Sequence, residues 1–201
     1  MANLRIYLPG MSVHVIRRGN NRGAIVRDDI DYRVLLNFVE HAAADRGVSV
    51  HGYVVMTNHY HLILTPHESR ALPRMMKTIG ERYTHYYNRK YDRIGTLWSG
   101  RYRGIVIADE LYWLTCLRYI EQNPVRANMV TTPDQYPWSS YAFHAKGDCS
   151  KWLMMHDVYL ALGSTPERRQ VAYRAICGVQ LTDPELANQR HPAPLEIPVA
   201  V

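Results

Sequence analysis

Apolar residues recur at two different periods along this chain, and the switches between them mark its elements. Residues 12–18, SVHVIRR, alternate as a half-buried strand does and run into GNNRG, a string of turn formers. From 29 to 46 the spacing becomes helical: Tyr32, Leu35, Leu36, Val39 and Ala43 fall on one stripe, and Gly47 stops it. Two strand patterns follow, over 48–56 and 59–65, joined by a tight turn at Thr57–Asn58. A second helix over 69–91 carries Leu72, Met75, Met76, Ile79, Tyr83, Tyr86 and Tyr87. The run WSGRYRGIVI predicts a strand over 98–107, and Asp109 is a good cap for a third helix.

The order β-α-β-β-α-β with a helix appended predicts an α+β fold: a ferredoxin- or RRM-like antiparallel sheet, helices on one face, and a C-terminal helical extension. Past Pro133 the pattern weakens. YPWSSYAFH has no clear period, short helices are expected near 154–162 and 166–177, and PELANQRHPAPLEIPVA reads as a loose, proline-rich tail. The chain therefore divides into a domain over 1–133 and an extension over 134–201 packed on it, with no internal repeat.

One strand breaks the apolar pattern. In TNHYHLIL, residues 57–64, period two puts His59 and His61 on one face and Tyr60, Leu62 and Leu64 on the other. Two imidazoles roughly 6–7 Å apart along a strand can converge on one metal ion but cannot complete its shell. The helix after Asp109 supplies candidates. Trp113, Cys116, Leu117 and Ile120 make its apolar arc, while Tyr112, Thr115, Tyr119 and Asn123 form a more polar stripe. Tyr119 and Asn123, four apart, are neighbours there, one offering a phenol and the other an amide oxygen. Asn123 also precedes Pro124, so it could instead end one helix and cap the next turn.

Composition adds a partner. Net charge is +6, with 20 arginines against four lysines, and 15 tyrosines and four tryptophans are interleaved with them. Arginine forks grip phosphate and aromatic rings stack on bases, as a single-stranded nucleic-acid surface requires. Arg17, Arg18 and Arg22 around the Gly/Asn loop, and Arg101 and Arg103 on one strand face, are the candidate DNA contacts. His14, on a strand expected beside the histidine pair, is either a supporting residue or a core histidine, and Trp138 and Tyr141 either stack on bases or seal the core. No apolar run reaches the ~18 residues of a membrane helix, and the N-terminus lacks the apolar core of a signal peptide. Cys116, Cys149 and Cys177 have no paired spacing, so a reducing cytoplasm is expected.

The HYH triplet, YIEQNPVRANMV at 119–130, the opening PGMSVHVIRRGNNR and the later YPWSSY together resemble the single-tyrosine HUH transposases, and among them the REP-associated tyrosine transposase group. The likeness runs over residues 9–177; Tyr60 fills a slot usually described as hydrophobic. It implies a metal-dependent endonuclease and strand transferase acting on single-stranded DNA, often beside a hairpin. By that resemblance His59, His61 and Asn123 are metal ligands and Tyr119 is the nucleophile, forming a 5′-phosphotyrosine. A phenol ordinarily titrates near ~10, so it needs help at neutral pH, and a divalent ion, Mg²⁺ or Mn²⁺, would supply it. A non-catalytic RRM-like binder of single-stranded nucleic acid is the alternative; it calls for aromatic residues on the open face of the central strands and gives no reason for two histidines there. A zinc hydrolase is disfavoured because no acidic general base stands near the pair. Monomer and dimer both stay open, as do the hairpin recognised and the mobility of the element.

Overall fold

The structure is a computed structural model that describes residues 6–179. The expected proline-rich tail lies outside these residues. In chain order the elements are β1 (Val13–Arg18), α1 (Asp29–Arg46), β2 (Val48–Val55), β3 (His59–Pro66), α2 (Ala71–Lys90), β4 (Arg103–Val106), α3 (Glu110–Glu121), α4 (Asn123–Arg126), α5 (Tyr141–Lys146), α6 (Asp157–Leu160) and α7 (Pro166–Gly178). The sheet has four antiparallel strands in the order β2-β3-β1-β4, the mixed α+β architecture expected. No helix among the described residues is long and apolar enough to cross a membrane.

Strand alternation gives this sheet two different faces. Val13 and Val15 of β1 pair with Leu64 and Leu62 of β3, and with Tyr60 they pack against Leu35 and Val39 of α1 and Leu72, Met75 and Ile79 of α2. The opposite face carries His14, Ile16, His59, His61 and Ile63. There Val54 of β2 and Ile63 of β3 pack with Trp113, Cys116, Leu117 and Ile120 of α3 and with residues of α5 to α7.

The helix ends follow local chemistry. Asp28 accepts from the Asp31 backbone N–H, 3.0 Å, to start α1, and Gly47, at φ 62°, ends it by donating back to Ala43 and Ala44. Asp109 accepts from Tyr112 N–H at 2.7 Å to start α3. Asp31 also fixes α1 to α2. Its fully buried carboxylate accepts from Tyr91 (2.6 Å), Lys90 (2.7 Å), Tyr86 (2.9 Å) and the Arg27 backbone N–H (2.8 Å). Burial pushes this carboxyl up, but the hydrogen bonds from Lys90 and Tyr91 outweigh it and the net shift is downward. Asp31→Ala strands these donors, and an equilibrium urea titration should show a loss of about 3 kcal/mol; a loss under about 1 kcal/mol would mean that water satisfies them.

Three local expectations need correction. The strand expected at 98–107 is only Arg103–Val106, because Gly100, at φ 73°, turns the chain beforehand and leaves Trp98 in an isolated bridge to Gly19. The helix expected near 154–162 is the single turn of α6, started by His156 Nδ1 accepting from Val158 N–H. Helix α5, in the run without a clear period, is one and a half turns in which Tyr141, Phe143, His144 and Ala145 are all buried, so neither side shows a polar stripe.

Candidate active site

His59 and His61 lie on the α3 side of β3 with ring centroids 5.1 Å apart. Pairing of β1 with β3 sets Arg18 opposite His59 and Ile16 opposite His61, so His14 falls diagonally beside His61. The GNNRG loop holds this end of the sheet. Gly19 donates to Asn58 O, and Asn58 Nδ2 donates to Arg22 O at 3.1 Å. A Cβ on Gly19 would sit 2.2 Å from Gly23 O, so only glycine lets the loop close. Asn58, held in this way, accepts from His59 Nδ1 through Oδ1 at 2.6 Å. His61 Nδ1 is 2.8 Å from His14 Nε2. With both Nδ1 atoms engaged, the Nε2 atoms of His59 and His61 are the ones left to bind something else.

Both imidazoles are held neutral. Burial lowers His59 to about 4, helped by the Arg18 charge and opposed by a hydrogen bond with Asn123. His61 is pushed well below the usual range by burial, and then by His14, His59, Arg18 and Arg126. Neutral imidazoles keep the lone pair that metal binding requires.

Helix α3 approaches the sheet at Gly52 of β2, where a Cβ would stand 2.5 Å from Leu117 Cδ1. This places its last turn over the histidines. The half-buried ring of Tyr119 is 5.8 Å from the His61 ring and 6.2 Å from the His14 ring. The guanidinium of Arg126, on α4, lies 4.7 Å from the Tyr119 ring centre. Asn123 is the first residue of α4, and no side chain caps that helix, so its amide is not spent on capping. It turns instead toward His59, and its Nδ2 atom is buried without a partner.

These residues fit a divalent cation. No group of three or more His, Cys, Asp or Glu suited to a metal occurs among the described residues, so a third protein donor has to be of another kind. The Asn123 amide is of that kind, and a half turn about its terminal bond exchanges oxygen for the unpartnered nitrogen. Two imidazole nitrogens and one amide oxygen, completed by water or phosphate, would suit Mn²⁺ or Mg²⁺.

The other candidates separate by face. Arg18 is exposed beside His59, and Arg103, opposite Ile16, is exposed on the same face. Arg22 is exposed in the loop at φ 56°. Arg101 is exposed in the bend before β4, so strand parity does not pair it with Arg103. Arg17 points to the opposite face with Tyr60; it donates to Met76 O at 2.9 Å, lies 4.4 Å from the Trp98 ring centre and rests on Gly80. Tyr83 is buried among α1 and α2 and donates to Ile25 O at 2.6 Å, while Tyr112 is half-buried and raised by burial and by Cys116. Asn58 and Arg126 were missed as candidates, although Arg126 stands seven residues, two helical turns, after Tyr119. The open part of this face presents histidines, Ile16 and arginines, not the aromatic platform that an RRM-like binder needs.

Comparison with known proteins bears on the family and the fold. The model of the IS200-like transposase family matches residues 8–123, and the chain belongs to that family. It is thus a transposase, and at that level an enzyme acting on DNA. Among solved structures it is similar to a REP-associated tyrosine transposase bound to a REP hairpin, at 20% identity and a TM-score of 0.62, over 79% of this chain and 93% of that one. Fainter likenesses are to a Deinococcus radiodurans protein described only as a candidate transposase (19% identity, TM-score 0.41, 55% of this chain and 89% of that one) and to tRNA(His) guanylyltransferase of Saccharomyces cerevisiae (12%, 0.40, 87% and 81%). No curated protein sequence matches the chain.

Proposed function

We propose that this transposase is a metal-dependent single-stranded DNA endonuclease and strand transferase that cuts at or beside a hairpin. The observation that carries this reading is the Tyr119 ring 5.8 Å from His61 on the face that also carries His59, with Asn123 one turn further along and near enough to His59 to shift its pKa. A divalent ion held by His59, His61 and Asn123 would polarise the scissile phosphate and offset charge developing on it. Tyr119 Oη attacks phosphorus; the Oη–P bond forms as the P–O3′ bond breaks, the phenol proton passes to solvent, and the 3′ oxygen takes up a proton. The product is a 5′-phosphotyrosine and a free 3′-hydroxyl. Because the phosphodiester is conserved, a different 3′-hydroxyl can reverse the step and join new ends. Arg126 holds the nucleophile's ring in place, and with Arg18 it brings positive charge to where the phosphate must lie.

The test is a covalent adduct. Hairpin-bearing single-stranded DNA, incubated with the chain and Mn²⁺ or Mg²⁺, should yield a band on denaturing gels in which the 5′ end of one fragment is joined to protein. A chain that binds the same DNA yet never forms the adduct would instead be the non-catalytic binder.

Binding itself should prefer single strands and hairpins to blunt duplex and weaken steeply with salt, since phosphate contacts release counterions. Arg18→Ala is expected to flatten the plot of log K against log salt by about 0.7–1. Arg17→Ala should leave that slope alone, because its guanidinium bonds α2 on the other face of the sheet. Equal slopes for the two variants would mean that the face assignment does not govern DNA contact.

A further inference from the structure

Two residues after Tyr119 and two before Asn123, Glu121 points the other way, into the protein, and is fully buried. Its Oε1 accepts from Ser140 Oγ at 2.5 Å and from His144 Nδ1 at 2.8 Å, and its Oε2 accepts from Tyr173 Oη at 2.6 Å. Ser140 and His144 both bond the carboxylate rather than each other's reactive atoms, so these three do not form a hydrolytic triad. The donors come from two parts of the fold, Ser140 and His144 from the start and body of α5 and Tyr173 from α7. Ser140 is also tied to β2, where its Oγ accepts from Tyr53 N–H at 2.9 Å. The flanking residues of α3 reinforce the contact with α7: Arg118 donates to Ile176 O and Gln122 to Cys177 O.

Such a carboxylate is costly to bury and is retained only when every oxygen is satisfied. Helix α3 stops at Glu121, and Pro124, three residues on, supplies no backbone N–H to extend its last turn. The last turn of α3, which bears Tyr119 and leads into Asn123 at the start of α4, is therefore held from behind, by side chains up to 52 residues away in sequence. We propose that Glu121 and Tyr173 are positioning residues, which fix the rotation of the last turn of α3 so that Tyr119 and Asn123 meet His59 and His61. This rests on the reading of Tyr119 as nucleophile and Asn123 as ligand.

Glu121→Ala would leave three donors around a vacant position and can unfold the chain, so the hydroxyl-only change Tyr173→Phe carries the test, with Glu121→Gln beside it. In Tyr173→Phe, single-turnover cleavage of the hairpin strand is expected to slow by about ten- to a hundredfold, the size of effect that small misplacements produce. Affinity for uncut DNA should stay within about twofold. A second readout needs no chemistry. In a Tyr119→Phe background, Tyr173→Phe should weaken Mn²⁺ binding about tenfold in a calorimetric titration, as loss of an outer contact does. Wild-type cleavage and Mn²⁺ affinity in Tyr173→Phe would overturn the proposal. So would a cleavage loss that only follows a fall in melting temperature and DNA affinity. Failure of the nucleophile assignment shows separately, as a wild-type adduct that survives Tyr119→Phe.

Discussion

Tyr119→Phe is expected to bind hairpin DNA as the wild type does and to cut none of it. The substitution deletes one hydroxyl and leaves the ring that Arg126 covers at 4.7 Å, so neither the packing of α3 nor the charge around the site changes. Cleavage should fall by at least about a thousandfold, since removing a nucleophile outright costs more than loosening one. Time courses on a labelled hairpin strand, with gel-shift affinity measured on the same preparation, separate the two effects. Tyr112 is the nearest rival, on the same stripe two turns earlier. An adduct formed by the Tyr119→Phe protein at the wild-type rate would transfer the role to it.

The second large effect belongs to the imidazoles. His59→Ala combined with His61→Ala removes both ring nitrogens that face the site, and Mn²⁺ affinity should fall by about a hundredfold or more, beyond the range seen when only outer contacts are lost. Cleavage goes with it, although the Tyr119 hydroxyl remains. The Asn123→Ala protein should sit between this double variant and the wild type, because it loses one donor of three. His14→Ala is the control that distinguishes ligand from support: it leaves both Nε2 atoms in place and releases His61 Nδ1. Its Mn²⁺ affinity should fall by about ten- to a hundredfold. Titration calorimetry of the four proteins gives the order directly, and an undiminished affinity in the double variant would move the metal elsewhere.

Much of this was legible in local pattern. Period two in TNHYHLIL is enough to put His59 and His61 on one face, and period 3.6 after Asp109 is enough to set Tyr119 beside Asn123. What local pattern cannot supply is which strand residues lie opposite one another. Arg17 and Arg18 look alike in sequence; only the pairing of β1 with β3 shows that Arg17 faces Tyr60 and Arg18 faces His59. Glu121 illustrates the same limit more sharply. In the sequence it is one acidic residue of an amphipathic helix, and its three donors come from segments 19 to 52 residues away. Asn58 forms half of the turn before β3, and only the folded structure shows that its side chain also bonds the neighbouring histidine.

The buried carboxylate also bears on how such a gene decays. The match to the family ends at residue 123 and takes in the proposed ligands and nucleophile, yet the hydroxyls and imidazole that hold Glu121 come from Ser140, His144 and Tyr173. A frameshift late in the reading frame would spare the whole recognisable signature while deleting α7. Such a copy would carry Glu121 with one donor fewer and a loosened final turn, and selection for cutting would cease to act on residues that still look intact. Remnant copies of this kind would keep their histidines and tyrosine for a time, but no longer their activity.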